Sequence, residues 1–196
     1  INLSSLKIAA GSTGHKLNIT NFKSGSLTLN DNNLGNASQD ESAVDATTVT
    51  VTGTESNDTI TINQGKIKDV STGKGADTVV INSGVNVATL STGEGADIIN
   101  ISGTVGTLDA GDGDDTITLK SGAGTGLTIN GGDGKDTLTL DASTSGVDFT
   151  KITKISGIEV LDISGGSSTS GAKISYDSIK DNLNLTLSGS GSLTIE

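Results

Sequence analysis

Apolar and polar residues alternate in short bursts that recur along this chain: Ile60 and Ile62, Val79 and Ile81, Ile99 and Ile101, Ile117 and Leu119, Leu138 and Leu140. Alternation with period two puts every second side chain on one face, as in a half-buried β-strand. A second apolar pair follows each of the first four bursts: Ile67 and Val70, Val87 and Leu90, Val105 and Leu108, Leu127 and Ile129. Each unit therefore predicts two short strands and two turns. Stacked units would align Ile, Val and Leu in two facing ladders.

The bursts belong to a repeat. TGTESNDTITI (52–62), TGKGADTVVI (72–81), TGEGADIINI (92–101), AGDGDDTITL (110–119) and GGDGKDTLTL (131–140) share an aspartate, at Asp58, Asp77, Asp97, Asp115 and Asp136. These aspartates are spaced by 19, 20, 18 and 21 residues, which suits one coil of a solenoid per repeat. The two turns of a coil differ. From Gly73 to Val79, Gly93 to Ile99, Gly111 to Ile117 and Gly132 to Leu138 the count is always six, whereas Ile62 to Val70, Ile81 to Leu90, Ile101 to Leu108 and Leu119 to Ile129 run eight, nine, seven and ten. Insertions cost a plain connection little, so the turn of constant length is the one with a geometric requirement. The predicted fold is all-β, a parallel β-roll or β-solenoid of about 20 residues per coil.

Composition narrows the core and the partners. Hydrophobic residues make up 32% of the chain, and its only aromatics are Phe22, Phe149 and Tyr176, so a wide globular core is not expected. Disorder would explain so polar a chain, but it does not explain the alternation. The net charge is -11 and there is no Arg, which argues against nucleic acid and other polyanions. There is no Cys, and His15 is the only histidine, so thiolate and imidazole metal sites are excluded. No stretch approaches the ~20 apolar residues of a membrane span. A chain that starts at Ile1 with no signal-like segment is expected to be a fragment of something larger.

The fixed turns suggest a ligand. In Gly-x-Gly-x-Asp the glycines permit positive φ and leave carbonyl oxygens uncovered, and the aspartate adds a carboxylate. Coils ~4.8 Å apart would bring Asp77 near Asp97, Asp97 near Asp115 and Asp115 near Asp136, each pair repelling by roughly 3 kcal/mol at an effective dielectric of ~20. Calcium takes six to eight oxygens at ~2.3 to 2.6 Å and could bridge adjacent turns, whereas magnesium demands a tighter octahedron. The candidate ligands are Thr72, Gly73, Gly75 and Asp77; Thr92, Gly93, Gly95 and Asp97; Ala110, Gly111, Gly113 and Asp115; and Gly131, Gly132, Gly134 and Asp136. Asp58 joins them in a weaker turn, where Thr54 and Ser56 replace the glycines. Glu94, Asp97, Asp109, Asp112, Asp114 and Asp115 lie between Ser91 and Leu119 with no base among them, so cation binding is expected to be strongest there. As ordinary turn formers, Gly and Asp could also occupy these places and bind nothing.

At these turns the chain resembles the repeats-in-toxin (RTX) proteins, whose Gly-Gly-x-Gly-x-Asp-x-(large apolar)-x nonapeptide builds a parallel β-roll with calcium between turns. GGDGKDTLT (131–139) matches in full, while AGDGDDTIT (110–118), TGEGADIIN (92–100) and TGKGADTVV (72–80) lack only the first glycine. The resemblance covers about 70 of the 196 residues. In that family metal turns usually line both edges of the roll, but here they line only one, which implies a single row of about three or four calcium ions. The Ser, Thr, Gly and Asn richness and the segment SGIEVLDISGG (156–166) are also similar to bacterial surface-layer proteins exported by type I secretion.

Three regions follow: β coils without metal turns over 1–52, the calcium-binding roll over 53–141, and further coils or a cap over 142–196. In the first, Leu17 with Ile19, Leu27 with Leu29, and Val49 with Val51 mark strands, and 30–46 is read as a loop. In the last, Phe149 and Tyr176 are expected to plug an open end. The function expected is that of a secreted, calcium-stabilised structural module at a bacterial cell surface. It would associate with copies of itself in a lattice or with neighbouring domains of the same chain, and the alternative is an RTX adhesin stalk. An enzyme built on Asp112, Asp114 and Asp115 is not expected, since Arg and sugar-stacking aromatics are lacking. A threonine ladder for ice binding begins at Thr59 and Thr61 but is interrupted by Val80, Ile98 and Asn100.

Overall fold

The computed structural model describes residues 18–19, 26–29, 34–35, 44–45, 50–120, 123, 125–141, 148–164, 172–182, 185–189 and 191–196. Short strands come first: β1 (Asn18–Ile19), β2 (Ser26–Leu29), β3 (Leu34–Gly35), β4 (Val44–Asp45) and β5 (Thr50–Thr52). The repeats supply β6 (Thr59–Ile62), β7 (Lys66–Lys74), β8 (Thr78–Ile81), β9 (Asn86–Glu94), β10 (Ile98–Ile101), β11 (Thr104–Asp112), β12 (Thr116–Leu119), β13 (Thr128–Asp133) and β14 (Thr137–Asp141). After them come β15 (Asp148–Phe149), β16 (Lys154–Ser156), β17 (Val160–Ser164), β18 (Ala172–Ile174), helix α1 (Tyr176–Ile179), β19 (Thr186–Gly189) and β20 (Leu193–Ile195).

The strands wind into a parallel β-solenoid. One sheet has the order β1-β5-β7-β9-β11-β13-β16, and the facing sheet runs β19-β17-β14-β12-β10-β8-β6-β2. Register follows the apolar pattern. Ile60, Val79, Ile99, Ile117, Leu138 and Leu161 form one column, and Val51, Val70, Leu90, Leu108, Ile129 and Ile155 form a column in the opposite sheet. All of these side chains are buried, so the interior is the narrow aliphatic double ladder that alternation predicts. A one-residue slip would turn a whole column outwards, so the period fixes the register.

Where the N-terminal region is described, it contains strands: β1 pairs with β5 and β2 with β6. Leu17, Val49 and His15 lie outside the described residues. Within 30–46, read as a loop, β3 and β4 pair with each other in parallel.

Beyond β14 the cross-section changes. β15, β18 and β20 form a third parallel sheet, so each C-terminal coil has three sides. Phe149 fills the wider interior and is fully buried, as a plug requires. Tyr176 does not: it begins α1 and is 61% exposed. A four-residue helix directs successive side chains around its whole circumference, and here Ser178 and Ile179 are the buried ones. α1 packs on β16, where Asn182 donates from Nδ2 to the Ile155 carbonyl at 2.8 Å and accepts the Ile158 N–H at 3.1 Å. Among the described residues no helix is long and apolar enough to cross a membrane.

Candidate functional site

The five repeated turns stack along one edge, where the long strands of the first sheet run into the short strands of the second. The paired glycines are required twice over. Gly93 and Gly95 have φ of 99° and 135°, which side chains rarely adopt, and Gly73, Gly75, Gly111, Gly113, Gly132 and Gly134 are alike. Stacking is the second reason: a Cβ on Gly93 would lie 2.0 Å from the Gly73 carbonyl oxygen, and one on Gly95 would lie 2.1 Å from that of Gly75. The glycines therefore let one turn sit directly on the carbonyls of another.

Each aspartate points inwards. Asp58, Asp77, Asp97, Asp115 and Asp136 are all buried. Their carboxylates form a ladder in which, from Asp77 on, each Oδ1 accepts the backbone N–H of the aspartate one coil earlier. Asp58 donates to Asp77 at 2.7 Å, Asp77 to Asp97 at 2.7 Å, Asp97 to Asp115 at 2.8 Å and Asp115 to Asp136 at 2.9 Å. Sequence reasoning gave these carboxylates only one another and an ion as neighbours; main-chain N–H groups provide part of the compensation. The ladder also has a member that reasoning missed. Asp136 donates its N–H to Glu159 Oε2 at 2.8 Å, so Glu159 takes the aspartate's place in the next coil. Its turn lacks a second glycine, which hides it from a Gly-x-Gly-x-Asp search. The signal that finds it is its position two residues before the core residue Leu161, as Asp136 stands two before Leu138.

The other carboxylate oxygen is not served. Oδ2 of Asp77, Asp97, Asp115 and Asp136 is buried without a hydrogen-bond partner, as is Oδ1 of Asp58. Orphaned buried oxygens of this kind are rare and costly. Burial raises the pKa of Asp77, Asp97 and Asp136 above the ordinary carboxylate range, and it pushes Asp115 up to about 7. For Asp115 the N–H of Asp97 pulls the other way, and the charges of Asp97, Asp136 and Asp114 add to the rise.

This has a consequence for stability without divalent cations. Between about pH 4 and pH 7 the folded Asp115 keeps a proton that the unfolded chain, titrating near ~3.9, has released. The native state thus binds more protons, and stability falls as pH rises through that window. In EDTA the melting temperature is expected to be higher at pH 5 than at pH 8, and a thermal series across that range checks it. A melting temperature that climbs with pH would mean that these carboxylates are stabilised in their ionised form by the protein alone.

The remaining turn residues are close to the carboxylates but not all are open. The carbonyls of Glu94, Asp112 and Asp133 accept the N–H of Gly75, Gly95 and Gly113, each at 2.7 Å. The Thr72 hydroxyl donates to the Thr92 carbonyl at 2.8 Å and the Thr92 hydroxyl to the Ala110 carbonyl at 2.9 Å. Of the imagined catalytic cluster, Asp112 and Asp114 are exposed while Asp115 is buried. Among the described residues no three acidic or histidine side chains converge closely enough to hold a metal between them. A cation here would need two carboxylates completed by main-chain oxygens, a donor set made wholly of oxygen, which fits calcium. The orphaned oxygens fit such an ion as well. Comparison with protein-family models, curated proteins and solved structures finds no match to this chain.

Proposed function

We propose that this chain is a calcium-stabilised structural module of a secreted bacterial cell-surface protein, with a row of cations between stacked turns on one edge of the solenoid. One observation carries the reading: in register, coil after coil, a buried aspartate oxygen is left without a partner. The likeness of 72–141 to RTX nonapeptides supports it. Every ionised carboxylate in the row costs stability while unpaired, and a divalent cation shared by two of them turns that cost into a gain. An ion that binds only the native state adds stability in proportion to the logarithm of its concentration, so export into calcium-rich surroundings would drive folding. A surface-layer lattice suits a module with this composition, and its partners would be copies of itself or neighbouring domains.

Thermal melting followed by far-ultraviolet circular dichroism, in EDTA and then in millimolar calcium with magnesium as control, tests the reading. Calcium is expected to raise the melting temperature by about 10 °C or more, which corresponds to a few kcal/mol in a domain of this size, and magnesium to do little. Equal melting in all three solutions would reduce the turns to glycine corners.

A further inference from the structure

The residue that opens each turn is not constant: Gly53, Thr72, Thr92, Ala110 and Gly131 in order along the row. This position lies beside the buried carboxylate. A Cβ on Gly53 would come 2.6 Å from Asp58 Oδ2, and one on Gly131 would come 2.7 Å from Asp136 Oδ2. Thr72 and Thr92 are themselves fully buried there.

Threonine hydroxyls close the first three turns. At the Asp58 turn, Thr54 donates both its N–H, at 2.6 Å, and its hydroxyl, at 3.0 Å, to Asp58 Oδ2. At the next two, Thr72 and Thr92 each give a hydroxyl proton to the first carbonyl of the following turn. A carbonyl that already accepts a proton is a poorer ligand for a cation, and the threonine side chain takes up volume beside its own carboxylate. Ala110 and Gly131 have no hydroxyl to give. From the Asp115 turn onwards this inter-coil tie to a carbonyl is therefore missing, whereas the unpartnered Oδ2 is common to Asp77, Asp97, Asp115 and Asp136. Exposed Asp112, Asp114 and Asp133 surround this stretch and add negative potential.

We propose that the row is graded: the threonine hydroxyls of Thr54, Thr72 and Thr92 are built-in substitutes for a cation, and the tight calcium site lies between the Asp115 and Asp136 turns. The N-terminal coils then hold together without metal and template the calcium-dependent coils after them. This rests on the calcium reading above.

Two single substitutions in the full chain test it, each followed by calcium titration calorimetry and by melting in EDTA. Ala110→Thr restores the missing tie, so it is expected to weaken the tightest calcium site by about tenfold or more and to raise the melting temperature in EDTA. Thr92→Ala removes a tie and frees the Ala110 carbonyl of the Asp115 turn, so it is expected to leave calcium binding at that site as tight or tighter, to lower the melting temperature in EDTA, and to enlarge the stabilisation that calcium brings. Wild-type calcium affinity in Ala110→Thr, or an unchanged EDTA melt in Thr92→Ala, overturns the grading while leaving calcium binding in place. A wild-type chain that takes up no calcium overturns both readings. Should Ala110→Thr fail to fold, Thr92→Ala alone decides, because its EDTA melt and its calcium increment must move in opposite directions.

Discussion

Gly93→Ala is expected to destabilise the solenoid by about 3 to 6 kcal/mol, a large share of the ~5 to 15 kcal/mol that holds a typical domain folded. Two costs combine. Alanine at φ 99° is strained, and its Cβ would lie 2.0 Å from the Gly73 carbonyl oxygen. That oxygen belongs to the backbone of β7, which is paired to β9 along its length, so it cannot retreat without breaking the ladder. Gly84→Ala separates the two terms. Gly84 also has a positive φ, 85°, but a Cβ there meets nothing within 4 Å. Its cost is expected to be about 1 kcal/mol, from strain alone. Urea unfolding of the pair measures the difference. Equal losses would mean that turn conformation, and not close stacking of coils, is what the glycines serve.

Asp115→Asn is expected to move the protein in opposite directions with and without calcium. Asparagine keeps an oxygen for the Asp97 N–H, now 2.8 Å from Oδ1, but removes the charge that burial disfavours. In EDTA at pH 8 the variant should melt about 2 to 5 °C above the wild type, and its dependence on pH across the range from 5 to 8 should flatten. In calcium the same change deletes a ligand, so the calcium increment should shrink sharply. Asp115→Ala differs because it strands the Asp97 N–H as well, at a cost of about 1 to 3 kcal/mol in any buffer. A variant Asp115→Asn whose calcium increment equals that of the wild type would remove Asp115 from the ligands.

The strands and their register were legible because one physical rule governs both. Ile60, Val79, Ile99, Ile117 and Leu138 must all face inwards, and only one parallel register stacks them. The turn positions were legible from the glycines and the fixed count to the first core residue. What escaped were features that depend on contacts between coils. That an aspartate carboxylate accepts the N–H of the preceding aspartate follows from the stacking offset, which spacing along the chain does not encode. Glu159 escaped because its turn is shorter and its longer side chain makes up the distance. The third sheet escaped because β15, β18 and β20 are two or three residues long, too short for alternation to stand out from chance. Tyr176 was misplaced because a lone aromatic near an open end reads as a plug, whereas the four-residue α1 leaves it facing solvent.

In a parallel solenoid the hydrogen bonds run along the long axis while the strands lie across it. A pull on the two ends of such a rod loads one coil at a time, and the outermost rung parts before the next feels the full force. With repeats of 18 to 21 residues and ~3.4 Å per extended residue, each coil released would pay out roughly 60 to 70 Å of chain. The carboxylate ladder lies along the same axis and crosses every rung from Asp58 to Glu159, so an ion held between two turns would act as a clasp against this unwinding. The rod would yield length in uniform steps, and the chemistry of the surrounding fluid would set how hard each step resists.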